Sequence, residues 1–396
     1  MRVLIIATSA EGGAGVAAFR SFEALKQANV DVSFISNEKS IISPTSHLNN
    51  RPARLHKFLR RLNTYIQRNW IQRGIEPITS LSVNTVSSLY KNYEKEFDVI
   101  HIHASYNFVT ISEIQKLQKK GKKVFITLHD QRFFTGGCHY SGLCAEFKRD
   151  CHRCPQIKPL FKNLARRTLR QSRVKLSDLN SIHFISPSSW LMDVALSSSL
   201  MSKARISVVR NPVPDAFFIS EKKEKSISGN EIRIGFIAQD LRNAFKGFAL
   251  FRDALWELNE KTLIDFTVVI ACNQGRGEIP DWMSASYLSP KNNHELISFY
   301  KTLDLLVVPS QQDNSPNVIV EALAAGTKII GTNSGGIPEL LRLCNQPVVE
   351  SHSREELVRA LQPSAIAQIE TPNRKIVEDN FGYKAYAEKM VHLYSE

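Results

Sequence analysis

Two carboxylates, eight residues apart, mark the stretch of the chain best suited to binding a polar ligand. Asp313 lies in a polar loop, and Glu321 lies in the run PNVIVEALAAG that follows it. Apart from Glu321 this run is apolar on every side, which predicts a buried helix. Because a buried carboxylate is costly without a partner, Glu321 indicates a polar ligand or a buried cation. The alternative is an exposed glutamate on a surface helix.

The start of the same helix favours an anion. Ser315 is predicted to cap it, with Pro316 at its first position and Gly326 just past its end. The backbone amides after Ser315, including those of Asn317 and Val318, lack partners within the helix, and the helix dipole is positive there. The stretch therefore combines a buried carboxylate with a phosphate site.

The elements that must position these residues alternate between strands and helices. At 396 residues the chain is long for a single core, so two domains are expected. Short apolar runs typical of buried parallel strands are separated by helical patterns such as Val16–Ala28 and Ser112–Lys119. The predicted strands are Val3–Ala7, Val32–Ile35, Val99–His103, Val124–Leu128 and Ile182–Ile185, then Ile232–Ala238, Phe266–Ala271, Leu305–Val308, Lys328–Gly331 and one near Val348.

This alternation predicts an α/β protein of two doubly wound, Rossmann-like domains. A proline-containing break at Arg210–Phe218 and a charged stretch at Glu221–Asn230 read as a linker. We place the domains at 1–212 and 213–378, with a closing helix in 379–396. Because open α/β sheets bind ligands beyond the carboxyl ends of their strands, we expect the site in a cleft between the domains.

A glycine-rich loop follows the first predicted strand. Gly12 and Gly13 allow the backbone to approach a sugar or a phosphate closely. The same loop also satisfies a dinucleotide pattern with Gly13, Gly15 and Ala18, and Glu38 stands about where a ribose-binding acid would be. An NAD(P)-dependent oxidoreductase is therefore an alternative function.

The spacing of Asp313 and Glu321, followed by SGGIPEL, resembles the signature of the family 4 retaining glycosyltransferases of the GT-B fold. The approach NNHELISFYKTLDLLVVPS is also similar to that family. The resemblance implies that the first acid contacts the donor sugar and the second binds the nucleotide ribose. The family usually has Glu where this chain has Asp313. It also implies a retaining reaction without a catalytic nucleophile or a required cofactor, and a C-terminal helix that returns to the first domain.

The resemblance assigns four further residues. Lys246 corresponds to the lysine that neutralises the diphosphate leaving group, and Arg242 is the nearest candidate for its usual arginine partner. His129 resembles a histidine that touches the donor sugar, and His103 is a candidate on the acceptor side. Packing roles are the alternative for both histidines. The implied substrates are a nucleotide sugar and an oligosaccharide acceptor, such as a lipid-linked surface-polysaccharide precursor.

Four cysteines form a second unusual feature. Cys138, Cys144, Cys151 and Cys154 follow the pattern C-x5-C-x6-C-x2-C within residues 136–156, which resemble an insertion seen in polysaccharide-building members of the family. Four thiolates can form a structural zinc site, and disulfides or free thiols are the alternatives. A zinc-stabilised nucleic-acid-binding protein is a further alternative function, although no aromatic platform or nucleic-acid motif accompanies the cysteines.

The net charge of +13 is concentrated in two stretches. Arg51–Gly74 and Lys158–Lys175 each hold seven Lys or Arg and no acid. In the first, apolar residues recur at helical spacing, which is typical of a helix on an anionic membrane surface; an ordinary packed helix is the alternative. No run is long enough to cross a membrane, and Val3–Ala7 is too short for a signal sequence. We therefore expect a cytoplasmic, peripheral membrane enzyme that binds no nucleic acid.

Overall fold

The computed structural model describes residues 1–36, 40–41, 70, 95–103, 108–176, 178–219, 232–261 and 266–396. The chain divides into two compact units, Met1–Asn211 with Tyr386–Glu396, and Pro212–Ala385. The return to the first unit thus begins at Tyr386 rather than at residue 379. The charged linker Glu221–Asn230 and Glu38 lie outside the described residues, as does the basic stretch Arg51–Gly74 except for Trp70.

A seven-stranded sheet forms the centre of the first unit, in the order β3-β2-β1-β4-β5-β6-β7. All neighbouring strands are parallel except β2 and β3. The strands are β1 Arg2–Ala7, β2 Asp31–Ile35, β3 Ser40–Ile41, β4 Val99–His103, β5 Lys123–Thr127, β6 Ile182–Ser186 and β7 Arg205–Val208. The helices are α1 Gly12–Gln27, α2 Ile111–Lys119, α3 Asn163–Lys175 and α4 Ser189–Leu196.

The second unit contains a six-stranded, fully parallel sheet in the order β10-β9-β8-β11-β12-β13. The strands are β8 Ile232–Ile237, β9 Phe266–Ala271, β10 Ala285–Leu288, β11 Leu305–Val308, β12 Lys328–Thr332 and β13 Val348–Val349. The helices are α5 Ala216–Ile219, α6 Phe248–Lys261, α7 Asn293–Thr302, α8 Asn317–Ala324, α9 Ile337–Arg342, α10 Arg354–Ala360, α11 Pro363–Gln368 and α12 Arg374–Phe381. The last helix, α13 Tyr383–Ser395, carries the chain back to the first unit.

The central strands of each sheet are buried on both faces. The side chains of Ile5 and Ile102 in the first sheet, and of Leu305 and Ile330 in the second, are inaccessible to solvent. Both sheets have the doubly wound order in which the first strand of the unit lies beside the fourth. In open α/β sheets, ligands bind beyond the carboxyl ends of the strands at this reversal point. No helix in the described ranges is long and apolar enough to cross a membrane.

Several local predictions need correction. Strands β7 and β10 were missed because their exposed and half-buried residues form no continuous apolar run. Helix α1 begins at Gly12 rather than near Val16. Helix α8 begins at Asn317, and its N-cap is Pro316 with φ −67° and ψ 121°, so the predicted cap at Ser315 is wrong. The extended ψ of Pro316 places it outside the helix, where its missing N–H removes no hydrogen bond.

Candidate functional site

The two residues with the clearest chemical partnership lie at the reversal point of the second sheet. Lys246 follows β8 and Asp313 follows β11, and these strands are neighbours, with Leu305 opposite Ile234. Lys246 Nζ donates to Asp313 Oδ2 at 2.6 Å. Asp313 is only 8% exposed. The structure therefore brings together the predicted phosphate-binding cation and the predicted sugar-binding carboxylate.

Lys246 is placed by a short turn rather than by a long helix. Asn243 Oδ1 accepts from the amide of Phe245 at 3.0 Å and starts a single helical turn, Ala244–Lys246. Gly247 ends the turn with φ +75°, a conformation that favours glycine. A Cβ at Gly247 would lie 1.9 Å from the carbonyl oxygen of Pro309, so the turn and the Asp313 loop are in direct contact.

The opposite side of the Asp313 loop is held by another glycine. Gly335, at φ +60°, lies where a Cβ would be 1.9 Å from the carbonyl oxygen of Asp313. The neighbouring amide of Gly336 donates to that same oxygen at 3.0 Å. The SGGIPEL segment thus fixes the backbone of Asp313, and the close approach explains physically why a glycine occupies position 335.

Glu321 lies on α8 and is 4% exposed, so the alternative of an exposed surface glutamate is wrong. Its Oε2 accepts from the hydroxyl of Tyr300 at 2.7 Å. Tyr300 is fully buried on α7, and its contact with Glu321 was not predicted from the sequence. The only available signal was the YKTLDLLVVPS segment, in which Tyr300 reads as an ordinary core residue. A neutral phenol therefore supplies one partner of the buried carboxylate.

Three of the remaining predicted residues of this unit lie at the start of α8. Ser315 is 9% exposed, and Asn317 and Val318 are half-buried in the first turn of the helix.

Arg242 lies in a separate ion pair, because it forms two hydrogen bonds with Asp240, at 2.9 and 2.7 Å, and one with Gln274 at 3.0 Å. Its side chain is 57% exposed. Its proposed phosphate contact stays a prediction and would require this ion pair to be exchanged or shared.

Two histidines meet at the reversal point of the first sheet. His103 ends β4 opposite Thr127 of β5, and His129 follows two residues later. His103 Nδ1 lies 3.0 Å from His129 Nε2. His103 is 2% exposed, and its Nε2 has no hydrogen-bond partner among the described residues. Nε2 of His103 is thus a buried imidazole nitrogen without a hydrogen-bond partner among the described residues.

Burial keeps this histidine group neutral. Desolvation lowers the pKa of His129 to about 4 and holds the pKa of His103 well below its ordinary value. Behind them, His101 bonds the hydroxyl of Tyr394 through Nδ1 at 2.6 Å and Thr127 through Nε2 at 2.7 Å, and burial lowers its pKa to about 3. At neutral pH these side chains can donate and accept hydrogen bonds but carry no charge.

The glycine-rich loop lies beside the same point of the first sheet, since Ala7 at the end of β1 pairs with His103. Gly12 has φ +73° and begins α1, and nothing lies within 4 Å of where a Cβ would stand on Gly12 or Gly13. The backbone is therefore open to a ligand here. At Gly15 a Cβ would lie 2.6 Å from the carbonyl oxygen of Ser9, so this glycine serves packing.

The cysteine-rich segment is attached to the His129 loop. Asp130, next to His129, accepts a hydrogen bond from His139 Nδ1 at 2.6 Å, and His139 and Arg132 hold the pKa of its carboxyl below the usual range. Gln131 Oε1 accepts from the amide of Ser141 at 2.8 Å. Cys138, Cys144, Cys151 and Cys154 are all free thiols around one cavity.

Comparison with known proteins decides the family of the second unit. Residues 231–363 match the family Glycosyl transferases group 1. This segment is a group 1 glycosyltransferase domain. Lys246, Asp313, Tyr300 and Glu321 all lie within this domain.

Curated proteins similar to this chain include the putative colanic acid biosynthesis glycosyl transferase WcaC of Escherichia coli K12, which is 24% identical over 292 residues, 68% of each chain. A D-inositol 3-phosphate glycosyltransferase of Rhodococcus jostii is 29% identical over 115 residues, 28% of this chain and 25% of that protein. The match to WcaC therefore reaches beyond the group 1 domain, and the match to the Rhodococcus protein is local.

Among solved structures, sucrose-phosphate synthase from Thermosynechococcus elongatus gives a TM-score of 0.64 at 14% identity, covering 100% of this chain and 98% of that chain. The Anabaena protein Alr3699/HepE in complex with UDP-glucose gives 0.58 at 13% identity, covering 100% and 99%. The predicted GT-B fold of two Rossmann-like domains is confirmed.

Proposed function

We propose that this protein is a retaining glycosyltransferase that moves a sugar from a nucleoside-diphosphate sugar to an oligosaccharide acceptor. The observation that carries the proposal is the 2.6 Å contact between Lys246 and Asp313 at the reversal point of a group 1 domain. The negative charge of a diphosphate grows as its bond to the sugar breaks. A fixed ammonium group stabilises that charge most at the transition state, which accelerates the reaction.

In this mechanism each side chain has a distinct role. Asp313 accepts hydrogen bonds from hydroxyls of the donor sugar, and Glu321, held by Tyr300, binds the ribose. Lys246 and the amides at the start of α8 bind the diphosphate. Neutral His129, oriented by His103, contacts the sugar. The acceptor attacks from the side on which the diphosphate departs, and the leaving phosphate takes the acceptor proton, so the reaction requires no metal or redox cofactor.

The acceptor class rests on similarity. WcaC is named for colanic acid biosynthesis, and Alr3699/HepE was solved with UDP-glucose. We infer by analogy that this chain takes a nucleotide sugar as donor and a lipid-linked precursor of a surface polysaccharide as acceptor. The glycosyltransferase matches favour this reaction over the oxidoreductase and nucleic-acid alternatives.

Differential thermal stability tests the donor class. UDP, GDP, ADP and dTDP sugars, NAD(P) and a DNA duplex should be compared, because a ligand that binds the folded state raises the unfolding temperature. We expect stabilisation by one or two nucleotide sugars. Stabilisation by NAD(P) or DNA alone would contradict the proposal. Proton NMR of the transferred sugar then reports whether the anomeric configuration is retained, and inversion would overturn the stereochemical assignment.

We further infer that the enzyme attaches to an anionic membrane on the cytoplasmic side. Of the two basic stretches, Lys158–Lys175 is described. Lys162, Arg167 and Arg170 are exposed there. Leu160, in the same stretch, is 85% exposed. An exposed leucine among cations is typical of a surface that inserts shallowly into an anionic leaflet.

Vesicle sedimentation tests this attachment. Wild-type protein should sediment with phosphatidylserine vesicles at low salt and be released at high salt. Replacing Arg167 and Arg170 with Gln should weaken the association, whereas Lys375→Gln, an exposed lysine of the second unit, should not. Wild-type protein that stays in the supernatant at low salt would show that these residues are an ordinary solvated surface.

A further inference from the structure

The cysteine-rich segment presents four sulfur ligands to one space. Cys138, Cys144, Cys151 and Cys154 line a single small cavity, whose other walls are Gly136, Glu146, Phe147 and Ala165. Apart from Glu146 these walls are apolar or backbone. The remaining two cysteines, Cys272 and Cys344, are buried in the second unit. Four of the six cysteines therefore lie around one cavity.

The backbone of this segment adopts an uncommon conformation at one of the four cysteines, Cys151. Cys151 has φ +57°, in the left-handed region that costs a non-glycine residue about 1 kcal/mol or more. It is buried, and its amide donates to the carbonyl oxygen of Glu146 at 3.0 Å. Glycine would adopt this φ without cost. A cysteine in this strained conformation indicates a functional role for its sulfur.

We propose that Cys138, Cys144, Cys151 and Cys154 bind one structural zinc ion in this cavity. Four thiols that bind Zn²⁺ release four protons and give a site of net charge −2. Lys148, Arg149 and Arg153 lie between the ligands in sequence and offset that charge. Soft thiolates in a closed set of four suit zinc in a structural site, which leaves no open position for catalysis. This proposal does not rest on the proposed sugar-transfer reaction.

Zinc binding would draw the segment inwards. Zinc–sulfur bonds of about 2.3 Å in a tetrahedron place the sulfurs about 3.8 Å apart. No three of the four sulfurs now lie within 4.8 Å of one another, because the one group of possible ligands that meets this limit among the described residues is Glu146, Asp150 and His152. The cavity between the sulfurs is the space into which they can close.

That neighbouring group is a poorer cation site. Asp150 already bonds Arg166 at 2.8 Å and His152 at 2.9 Å. His152 also lies 3.1 Å from Glu146. An arginine that occupies the carboxylate would repel a metal ion, whereas no described cation bonds the cysteine sulfurs. The two sites can be separated by mutation.

The zinc site would act on the candidate active site through the segment that joins them. Asp130 and Gln131 follow His129 directly and bond His139 and Ser141, which lie between Cys138 and Cys144 in the chain. A metal that fixes these turns therefore fixes the loop of His129. We expect removal of the metal to increase amide hydrogen exchange at residues 129–141 and to leave the second unit unchanged.

Elemental analysis of wild-type protein, purified under reducing conditions without added metal, tests the proposal. We expect about one zinc per chain. The double variant Cys151→Ser, Cys154→Ser should lose it, and the matched control Cys272→Ser should keep it. If the double variant fails to fold, the wild-type protein can be treated with a chelator instead. Four thiols should then become reactive as one zinc is released. Cobalt substitution should give thiolate charge-transfer bands.

Four outcomes would overturn the site. Wild-type protein that folds without metal and shows six reactive thiols after denaturation would mean free cysteines. Two reactive thiols after denaturation without reductant would mean two disulfides. Iron in place of zinc would change the metal class. Zinc that survives the double cysteine variant and is lost on Asp150→Asn would belong to the carboxylate group instead.

Discussion

Lys246 Nζ lies 2.6 Å from Asp313 Oδ2, so a cation and a carboxylate from two separate loops meet in the second unit. The side chain of Lys246 remains 33% exposed, whereas that of Asp313 is 11% exposed. The lysine can therefore turn towards an incoming phosphate while the carboxylate stays fixed by its backbone. This contact pre-positions both groups and avoids an unpaired buried charge before substrate binds.

The glycine that supports Asp313 provides a sharp test of this positioning. Gly335→Ala should lower turnover by about tenfold or more, because the new Cβ would lie 1.9 Å from the carbonyl oxygen of Asp313 and displace the loop. Gly326→Ala is the matched control, since Gly326 has φ +77° and nothing within 4 Å of the added atom. It should cost about 1 kcal/mol of stability and leave turnover unchanged. Equal turnover in both variants would show that the loop's position is not critical.

Tyr300→Phe removes the hydroxyl that binds Glu321. We expect nucleotide affinity and the free energy of unfolding each to fall by about 1–3 kcal/mol, because a buried carboxylate loses a charge-assisted hydrogen bond. Tyr287→Phe is the control, since its hydroxyl donates to the carbonyl oxygen of Cys272 at 2.6 Å in the same unit. That variant should lose stability and keep nucleotide affinity. Calorimetry and denaturant unfolding measure the two quantities, and an unchanged affinity in Tyr300→Phe would remove Tyr300 from the site.

The buried histidines should make the protein sensitive to acid. Burial lowers the pKa of His101 to about 3 and that of His129 to about 4 from an ordinary value of 6.5. The unfolded chain therefore binds more protons below pH 6.5, so stability falls as the pH falls from 6.5 towards 4. His129→Gln should flatten this decline in unfolding temperature, and His392→Gln, whose side chain is 77% exposed, should not. A wild-type decline that persists in full in His129→Gln would contradict the assignment.

The sequence predicted the central strands and the candidate acids because both depend on local patterns. Continuous apolar runs mark strands that are buried on both faces, such as β4 and β11. The edge strands β7 and β10 are half-exposed, so no such run marked them. The family resemblance located Asp313 and Glu321 through their spacing.

Contacts between distant residues could not be read from local patterns. Tyr300 and Glu321 are 21 residues apart, and Lys246 and Asp313 are 67 apart. Only the fold shows that a core tyrosine meets the buried glutamate. The cap of α8 was misassigned for a related reason, because Ser315 and Pro316 both fit a helix start and their backbone angles decide between them.

Calorimetric titration of nucleoside diphosphates tests the central claim most directly, since it asks whether Lys246 binds the diphosphate. UDP, GDP, ADP and dTDP should be titrated into wild-type protein, Lys246→Ala and the matched control Lys375→Ala, an exposed lysine of α12. We expect one nucleotide to bind the wild type and the control equally and to bind Lys246→Ala at least about tenfold more weakly, which is a loss of about 1.4 kcal/mol. Equal affinity for all three proteins, or no binding of any nucleotide to the wild type, would contradict the account.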